Sequence, residues 1–433
     1  MNESAPAVTV VIPTRDRHAS LLRTLDALTR QDAPAVDCDV VVVDDGEGAP
    51  RVTGSAGRQR PAVRVITNRG RGAAAARNTG AAAARAPLLL FLDDDIEASP
   101  GLVRAHLDAW RAGASLSVGY LPARPSAASG FFAVTLRNWW ESMFAEMRRP
   151  GHRFTFRDVL TGNLSIDAGL FRQIGGFDTS LACHEDYELG LRALRAGARI
   201  VFCAAAEGIH HEVTTLRRSL DRKRAEGRAD AMIVRKHPEM LSTLPIGAAL
   251  HGRRGEPRRL RRLPFTSPRA ATALLAGLHR WLDLFEAARM RGRWLRRLYQ
   301  MLDISYWQGV ASELGTLSAL DELVCQATRA DSRPAWWLRV DLQEGLDRVA
   351  QRVDAAHPDG IAVSYRGERV GVVPPSPGAE PMRGVHLRSA LSSGPLAWHL
   401  LVALGRAGAA DLEEREGRLV PTACLPRDAL DLR

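Results

Sequence analysis

The chain has 433 residues, 45% of them apolar and 25% charged, the proportions of a folded protein with more than one core. No apolar run is long enough to span a bilayer, and the start Met-Asn-Glu-Ser-Ala-Pro lacks the basic and apolar regions of a secretory signal, so a cytoplasmic location is expected. The net charge of +10 rests almost wholly on arginine, with lysine only at Lys223 and Lys236; beside so much alanine and glycine this reads as the codon usage of a GC-rich genome, and no nucleic-acid partner is expected.

Four apolar runs come first: Val8 to Ile12, Val40 to Val43, Val63 to Ile66 and Leu88 to Leu92. Each is nearly continuous, as in a strand buried on both faces. Helix-like stretches lie between them, at Ala19 to Arg30 and Ala73 to Arg85. The alternation predicts an α/β fold with a parallel sheet and helices on both faces. Ligands of such sheets bind at the carboxyl ends of the strands.

A helix over Leu102 to Arg111, a strand over Leu116 to Tyr120 and an aromatic stretch, Phe131 to Trp140, follow. A helix is predicted from Glu185 to Ala196, and a strand at Arg199 to Cys203 leads towards His210-His211. The stretch Gly252 to Arg262 is dense in arginine, and Pro268 to Leu323 reads as helical. After a composition break at Asp331 to Pro334, Trp337 to Val340 and Ile361 to Tyr365 alternate as strands do. The expected organisation is a catalytic domain at 1–245, a basic amphipathic helical region at 246–330 and a small α+β domain at 331–433.

The five cysteines, Cys38, Cys183, Cys203, Cys325 and Cys424, are odd in number and lack zinc spacing, so they read as buried thiols. Sequons at Asn2 and Asn163 carry no weight without a secretory route.

The chemistry concentrates at strand ends. Asp93-Asp94-Asp95 closes the fourth run. Three adjacent carboxylates repel one another unless water or a cation neutralises them. In isolation the triplet is a solvated acidic turn; after a buried strand it suits Mg²⁺ or Mn²⁺ held together with phosphates. Asp44-Asp45-Gly46 follows the second run, where a carboxylate accepts from a base or ribose or merely shapes a turn. Glu185-Asp186 opens a helix, as acids do for the dipole alone, and one of them there is a candidate base for a hydroxyl nucleophile. His210-His211 is a candidate completion of a metal site.

The order Val10-Val11-Ile12-Pro13-Thr14-Arg15, Val43-Asp44-Asp45-Gly46, Ala76-Arg77-Asn78-Thr79-Gly80, Leu92-Asp93-Asp94-Asp95, Gly162-Asn163, Gly175-Gly176-Phe177-Asp178 and Glu185-Asp186 resembles the family-2 glycosyltransferases of GT-A fold over roughly the first 240 residues. The resemblance implies a nucleotide-diphosphate sugar as donor, UDP-sugar favoured, a hydroxyl acceptor, a divalent metal and inversion at the anomeric carbon. It implies that Pro13, Arg15 and Asp45 line the nucleoside pocket and that Arg77 approaches the ribose or diphosphate. Asp93 and Asp95 form an Asp-x-Asp metal motif with Asp94 between them on the donor, and Asp95 is favoured over Asp93 as the direct ligand. Gly162, Asn163 and Glu185 flank the transferred sugar, Asp186 matches the catalytic base, and His210, or else His211, matches a further metal ligand. Arg15 stands where many members carry an aromatic residue, and His184 where glycine is common.

Two rival readings compete. Gly70-Arg71-Gly72-Ala73-Ala74-Ala75 fits a dinucleotide fingerprint with Asp93 about 20 residues on, although it follows the third strand, where the first is expected. In the helical region Trp281, Leu282, Phe285, Trp294, Leu295, Leu298 and Tyr299 lie among Arg289, Arg291, Arg293, Arg296 and Arg297. Such helices pack on a neighbouring domain or dock on an anionic membrane. Peripheral membrane attachment alongside the enzymatic activity is one expectation.

Overall fold

Strand β1 (Val8–Thr14) explains the unbroken apolar runs. Val8, Val10 and Ile12 face one core and Val11 the other, so both sides must be apolar. The same split holds in β2 (Cys38–Asp44), where Val40 and Val42 oppose Val41 and Val43. The computed structural model describes residues 6–32, 38–46, 61–122, 130–211, 214–248, 258–330, 335–407, 412–415 and 418–421. Asn2, Cys424, the break at Asp331 to Pro334 and positions 252–257 of the arginine-rich stretch lie outside the described residues.

The remaining elements of the first sheet, in chain order, begin with α1 (His18–Leu28), β3 (Ala62–Thr67), α2 (Gly72–Ala83) and β4 (Leu88–Leu92). Then come β5 (Ile96–Ala98), α3 (Leu102–Arg111), β6 (Leu116–Tyr120), α4 (Phe131–Met147), β7 (Asn163–Asp167), α5 (Ala168–Gln173), α6 (Glu185–Arg195), β8 (Ile200–His210) and α7 (Leu216–Lys236). The eight strands lie in the order β3-β2-β1-β4-β7-β6-β8-β5. The first four are mutually parallel, and β7 runs antiparallel to both β4 and β6. Helices α1 and α3 cover one face; α2 and α6 cover the other. Alanine dominates α2 because it must approach closely: a Cβ on Gly80 would overlap Val11.

The helical region comprises α8 (Pro245–Ala248), α9 (Arg258–Thr266), α10 (Pro268–Ala287), α11 (Arg291–Leu314) and α12 (Leu317–Ala330). It forms one compact unit with the sheet domain, Met1–Met147 with Phe154–Asp331. Tyr306, Trp307, Val310, Leu314 and Leu323 share the core that holds Val11 and Phe91. The crossing of α7 and α11 is close enough that a Cβ on Gly227 would overlap the Tyr306 carbonyl, and one on Gly309 the Arg224 carbonyl. Glycine inside a helix costs about 1 kcal/mol against alanine, and here it permits that approach.

The second unit is Arg148–Arg153 with Ser332–Arg433. It contains β9 (Trp337–Asp341), α13 (Leu346–Ala356), β10 (Gly360–Tyr365), β11 (Glu368–Val373), α14 (Gly384–Ser392), α15 (Pro395–Arg406) and a hairpin of β12 (Leu412–Arg415) and β13 (Arg418–Pro421). Its three-stranded sheet has the order β11-β10-β9, a small α+β arrangement with its own core. His357 occupies a left-handed turn, and Asp359 accepts from the Trp336 N–H (2.8 Å), so both are turn residues.

Candidate active site

Strand β4 ends in mid-sheet between β1 and β7, and there the chain turns through Asp93, Asp94 and Asp95. The Asp93 N–H donates to the Gly162 carbonyl (3.1 Å), which fixes the turn. The three carboxylates offset mutual repulsion with two arginines, Arg77 on Asp93 and Arg17 shared by Asp94 and Asp95. Asp93 accepts from Arg77 (2.8 Å) and is the most open of the three. Asp94 accepts from the Thr14 hydroxyl (2.7 Å) and pairs with Arg17 (3.0 Å). Asp95 accepts from Arg17 through Oδ2 (2.6 Å). Burial raises the Asp94 carboxyl to about 6 against the opposing pull of Thr14 and Arg17. Burial also pushes Asp95 up, but His210 and Arg17 more than offset it and hold the carboxyl at about 2.

Strand β8 is longer than its apolar start and runs on to His210, which sits opposite Ile96. His210 Nε2 lies 3.4 Å from Asp95 Oδ1, an oxygen with no closer hydrogen-bond donor among the described residues. His211 turns the other way and meets Glu97 (2.7 Å). Of the two histidines, His210 is therefore the one that faces the acidic turn. No three His, Cys, Asp or Glu side chains among the described residues form a ready cation cage. The donors at hand are one carboxylate oxygen and one imidazole nitrogen. Such a pair suits a hard or borderline divalent ion that takes its other ligands from phosphate and water.

Pro13, Arg15 and Asp45 gather at the carboxyl ends of β1 and β2. Asp45 accepts from Asn68 (2.6 Å) and from the Gly72 N–H (3.0 Å), and Arg15 reaches to 3.9 Å from it. Gly72 thus braces Asp45 directly, and Gly70 does so through Asn68, whose Oδ1 accepts from the Gly70 N–H (3.1 Å). They follow β3, which is an edge strand, whereas a dinucleotide fingerprint belongs on the central first strand.

Helix α6 begins at Glu185, directly after His184 in a left-handed conformation (φ 58°). That backbone explains why glycine suits position 184. Asp186, half-buried, accepts from the Tyr187 N–H (2.9 Å). Burial first, then the charge of Glu185, raises its carboxyl to about 6 against His184, Arg222 and Arg77. Glu185 is held by Arg77 (2.9 Å), whose other terminal nitrogen holds Asp93. One buried guanidinium, 4% exposed, therefore ties the acidic turn to the start of α6. Arg77→Met leaves Glu185 and Asp93 without their counter-charge, at a cost of about 3 kcal/mol. Urea denaturation should show a lower midpoint; an unchanged midpoint would mean the bridge is not stabilising.

Three of the expected donor-side residues have protein partners. Arg77 pairs with two carboxylates, Asp93 and Glu185. Asn163 is fastened within the protein. Its side chain is 1% exposed, with Oδ1 bonded to His106 Nε2 (2.9 Å) and Nδ2 to the Ala206 carbonyl (2.8 Å). It fits because Gly119 has no Cβ to overlap it. Asp94 is likewise buried, with its carboxylate accepting from Thr14. Gly162 remains at the acidic turn, where a Cβ would lie 3.3 Å from Asp93 Oδ2. The sequence reading missed Thr14 and Arg17, which balance the triplet. The Asn78 clamp on the Phe177 backbone (both bonds 2.8 Å) shows that the Gly-Gly-Phe-Asp turn is scaffold.

A parallel-rich sheet of this order, with an acidic turn closing its central strand, defines the GT-A class of nucleotide-diphospho-sugar-binding folds. Residues 9–174 match the model of Glycosyl transferase family 2. Validoxylamine A glucosyltransferase of Streptomyces hygroscopicus subsp. limoneus is 33% identical over 277 residues, covering 55% of this chain and 58% of that protein. Pre-mycofactocin glycosyltransferase of Mycobacterium tuberculosis (strain ATCC 25618 / H37Rv) is 29% identical over 248 residues, covering 56% of this chain and 51% of that protein. The chain thus spans little more than half the length of these relatives. Among solved structures, mannosyltransferase PcManGT from Pyrobaculum calidifontis, in complex with GDP-Man and Mn2+, superposes with a TM-score of 0.41 at 15% identity, over 76% of this chain and 82% of that one.

Proposed function

We propose that the chain is a metal-dependent, inverting glycosyltransferase that moves a sugar from a nucleotide-diphosphate sugar, with UDP as the nucleotide, to an acceptor hydroxyl. The observation that carries this reading is the Asp93–Arg77–Glu185 bridge, which holds the acidic turn and the candidate base Asp186 in one site. Asp95 Oδ1 and His210 Nε2 face each other at 3.4 Å, with Asp93 nearby, and these residues would hold Mg²⁺ or Mn²⁺. A divalent cation, when bound, supplies positive charge to the diphosphate leaving group.

The chain's own groups do the rest. Pro13, Arg15 and Asp45 hold the nucleoside. Asp186 takes the proton of the acceptor hydroxyl, and its raised carboxyl makes it a better base near neutral pH than an ordinary aspartate. Glu185 cannot share that task while Arg77 holds it. The acceptor oxygen bonds to the anomeric carbon as the bond to diphosphate breaks, and attack from the opposite face inverts the centre. Nucleotide release from UDP-, GDP- and dTDP-sugars with Mn²⁺ tests the reading. Release from a UDP-sugar is expected; failure with all three contradicts it.

The hairpin of α10 and α11 supports peripheral attachment to an anionic membrane as an accompanying property. Leu282, Phe285, Trp294 and Leu298 are buried, which serves packing. Trp281, Leu284 and Tyr299 are left more than half exposed. Arg293, Arg296 and Arg297 line the hollow beside them with Phe285 and Gln300. Aromatic side chains among arginines suit a headgroup layer. Deleting the hairpin would also remove the partner of α7, so point changes are the better test. Co-sedimentation with phosphatidylglycerol vesicles should fall in Trp281→Ala/Tyr299→Ala; unchanged binding contradicts the attachment.

A further inference from the structure

Asp230, in α7, is fully buried between Ala229 and Ala231, which are buried as well. Its two oxygens have separate partners. Oδ1 meets His184 Nδ1 at 2.8 Å, and Oδ2 accepts from the Tyr306 hydroxyl of α11 at 2.7 Å. The glycine-permitted crossing of α7 and α11 brings that hydroxyl within reach. The His184 ring stacks on Tyr187, with centroids 4.3 Å apart and planes 15° apart. His184 and Tyr187 flank Glu185 and Asp186 in the chain. The stack closes over the first turn of α6, and Asp230 fastens it from behind.

A buried carboxylate requires a counter-charge. Among the groups that bond Asp230, only His184 can supply one. Asp230 and the nearby Glu226 and Asp186 favour its imidazolium against the cost of burial, and the net effect is a raised histidine. The charges facing Asp186 are Glu185 on its own helix, His184 before it, Arg222 on α7 and Arg77 on α2. His184 and the two arginines oppose the rise that burial and Glu185 impose.

Resting on the assignment of Asp186 as base, we infer that Asp230 is a positioning residue for it: through His184 it fixes the left-handed turn that delivers Asp186 and keeps a positive charge beside the base. Asp230 itself is fully buried, so it acts through His184.

The test is the pH profile of kcat/KM in the full chain with a UDP-sugar and Mn²⁺. Asp230→Asn keeps an acceptor for His184 but removes the charge that holds it protonated. Its acid limb should move up by about one pH unit, because an opposite charge beside a carboxylate is worth that much or more. His184→Gly tolerates the left-handed turn, lacks the imidazole and should shift the limb the same way. It carries the test if Asp230→Asn does not fold. A limb unmoved in the folded variants, with Asp186→Asn inactive, overturns this inference alone. An active Asp186→Asn overturns the base assignment and this inference together.

Discussion

Asp186→Asn is expected to lower kcat by about a thousandfold while leaving nucleotide binding intact. A positioned general base contributes about 10²- to 10⁴-fold, and asparagine keeps the acceptor for the Tyr187 N–H but cannot take a proton. The wild-type profile should lose activity as pH falls through about 6, because the base works ionised and its carboxyl titrates there. The stability consequence has the opposite sense. A carboxyl whose folded pKa is raised favours the folded state below its unfolded value, and that contribution is lost as pH rises through about 6. Asp186→Asn should therefore unfold at a higher temperature than wild type at pH 8, with the gain gone at pH 4. Wild-type turnover in the variant would remove Asp186 from the mechanism.

Asp95→Ala should abolish the response of activity to Mn²⁺ and cost about a hundredfold or more in kcat/KM. Losing an outer partner of a metal site typically costs about 10- to 100-fold, and Asp95 is proposed as a direct ligand. The loss also frees Arg17 from Asp95 Oδ2 and removes the carboxylate that faces His210. Nucleotide release measured with and without Mn²⁺ reads this directly. A variant that still responds to the metal would move the cation elsewhere.

The sheet was readable because each central strand is apolar on both sides, and Val8 to Ile12 or Leu88 to Leu92 announce that without context. What the sequence could not show depends on partners far away in the chain. Asn163 looks like a polar residue at a strand end, and only its neighbours His106, Gly119 and Ala206 make it scaffold. Arg17 precedes a helix with no special signal, yet it balances Asp94 and Asp95 across the sheet. Strand β8 was cut short because Ala204, Ala205 and Glu207 are exposed and carry no strand pattern. Asp230 sits in a run of charges that reads as a solvated face, and its burial depends on Tyr306 from α11. Gly227 and Gly309, lone glycines inside helices, were the available hint that the helical region is part of the first unit.

Isothermal titration of the wild-type chain with UDP, with and without Mn²⁺ and with NAD in parallel, tests the central claim most directly. Binding of UDP that depends on Mn²⁺, with no binding of NAD, is the predicted result. Binding of NAD without any metal effect, and none of UDP, would contradict the glycosyltransferase site and return the Gly70–Gly72 turn to consideration.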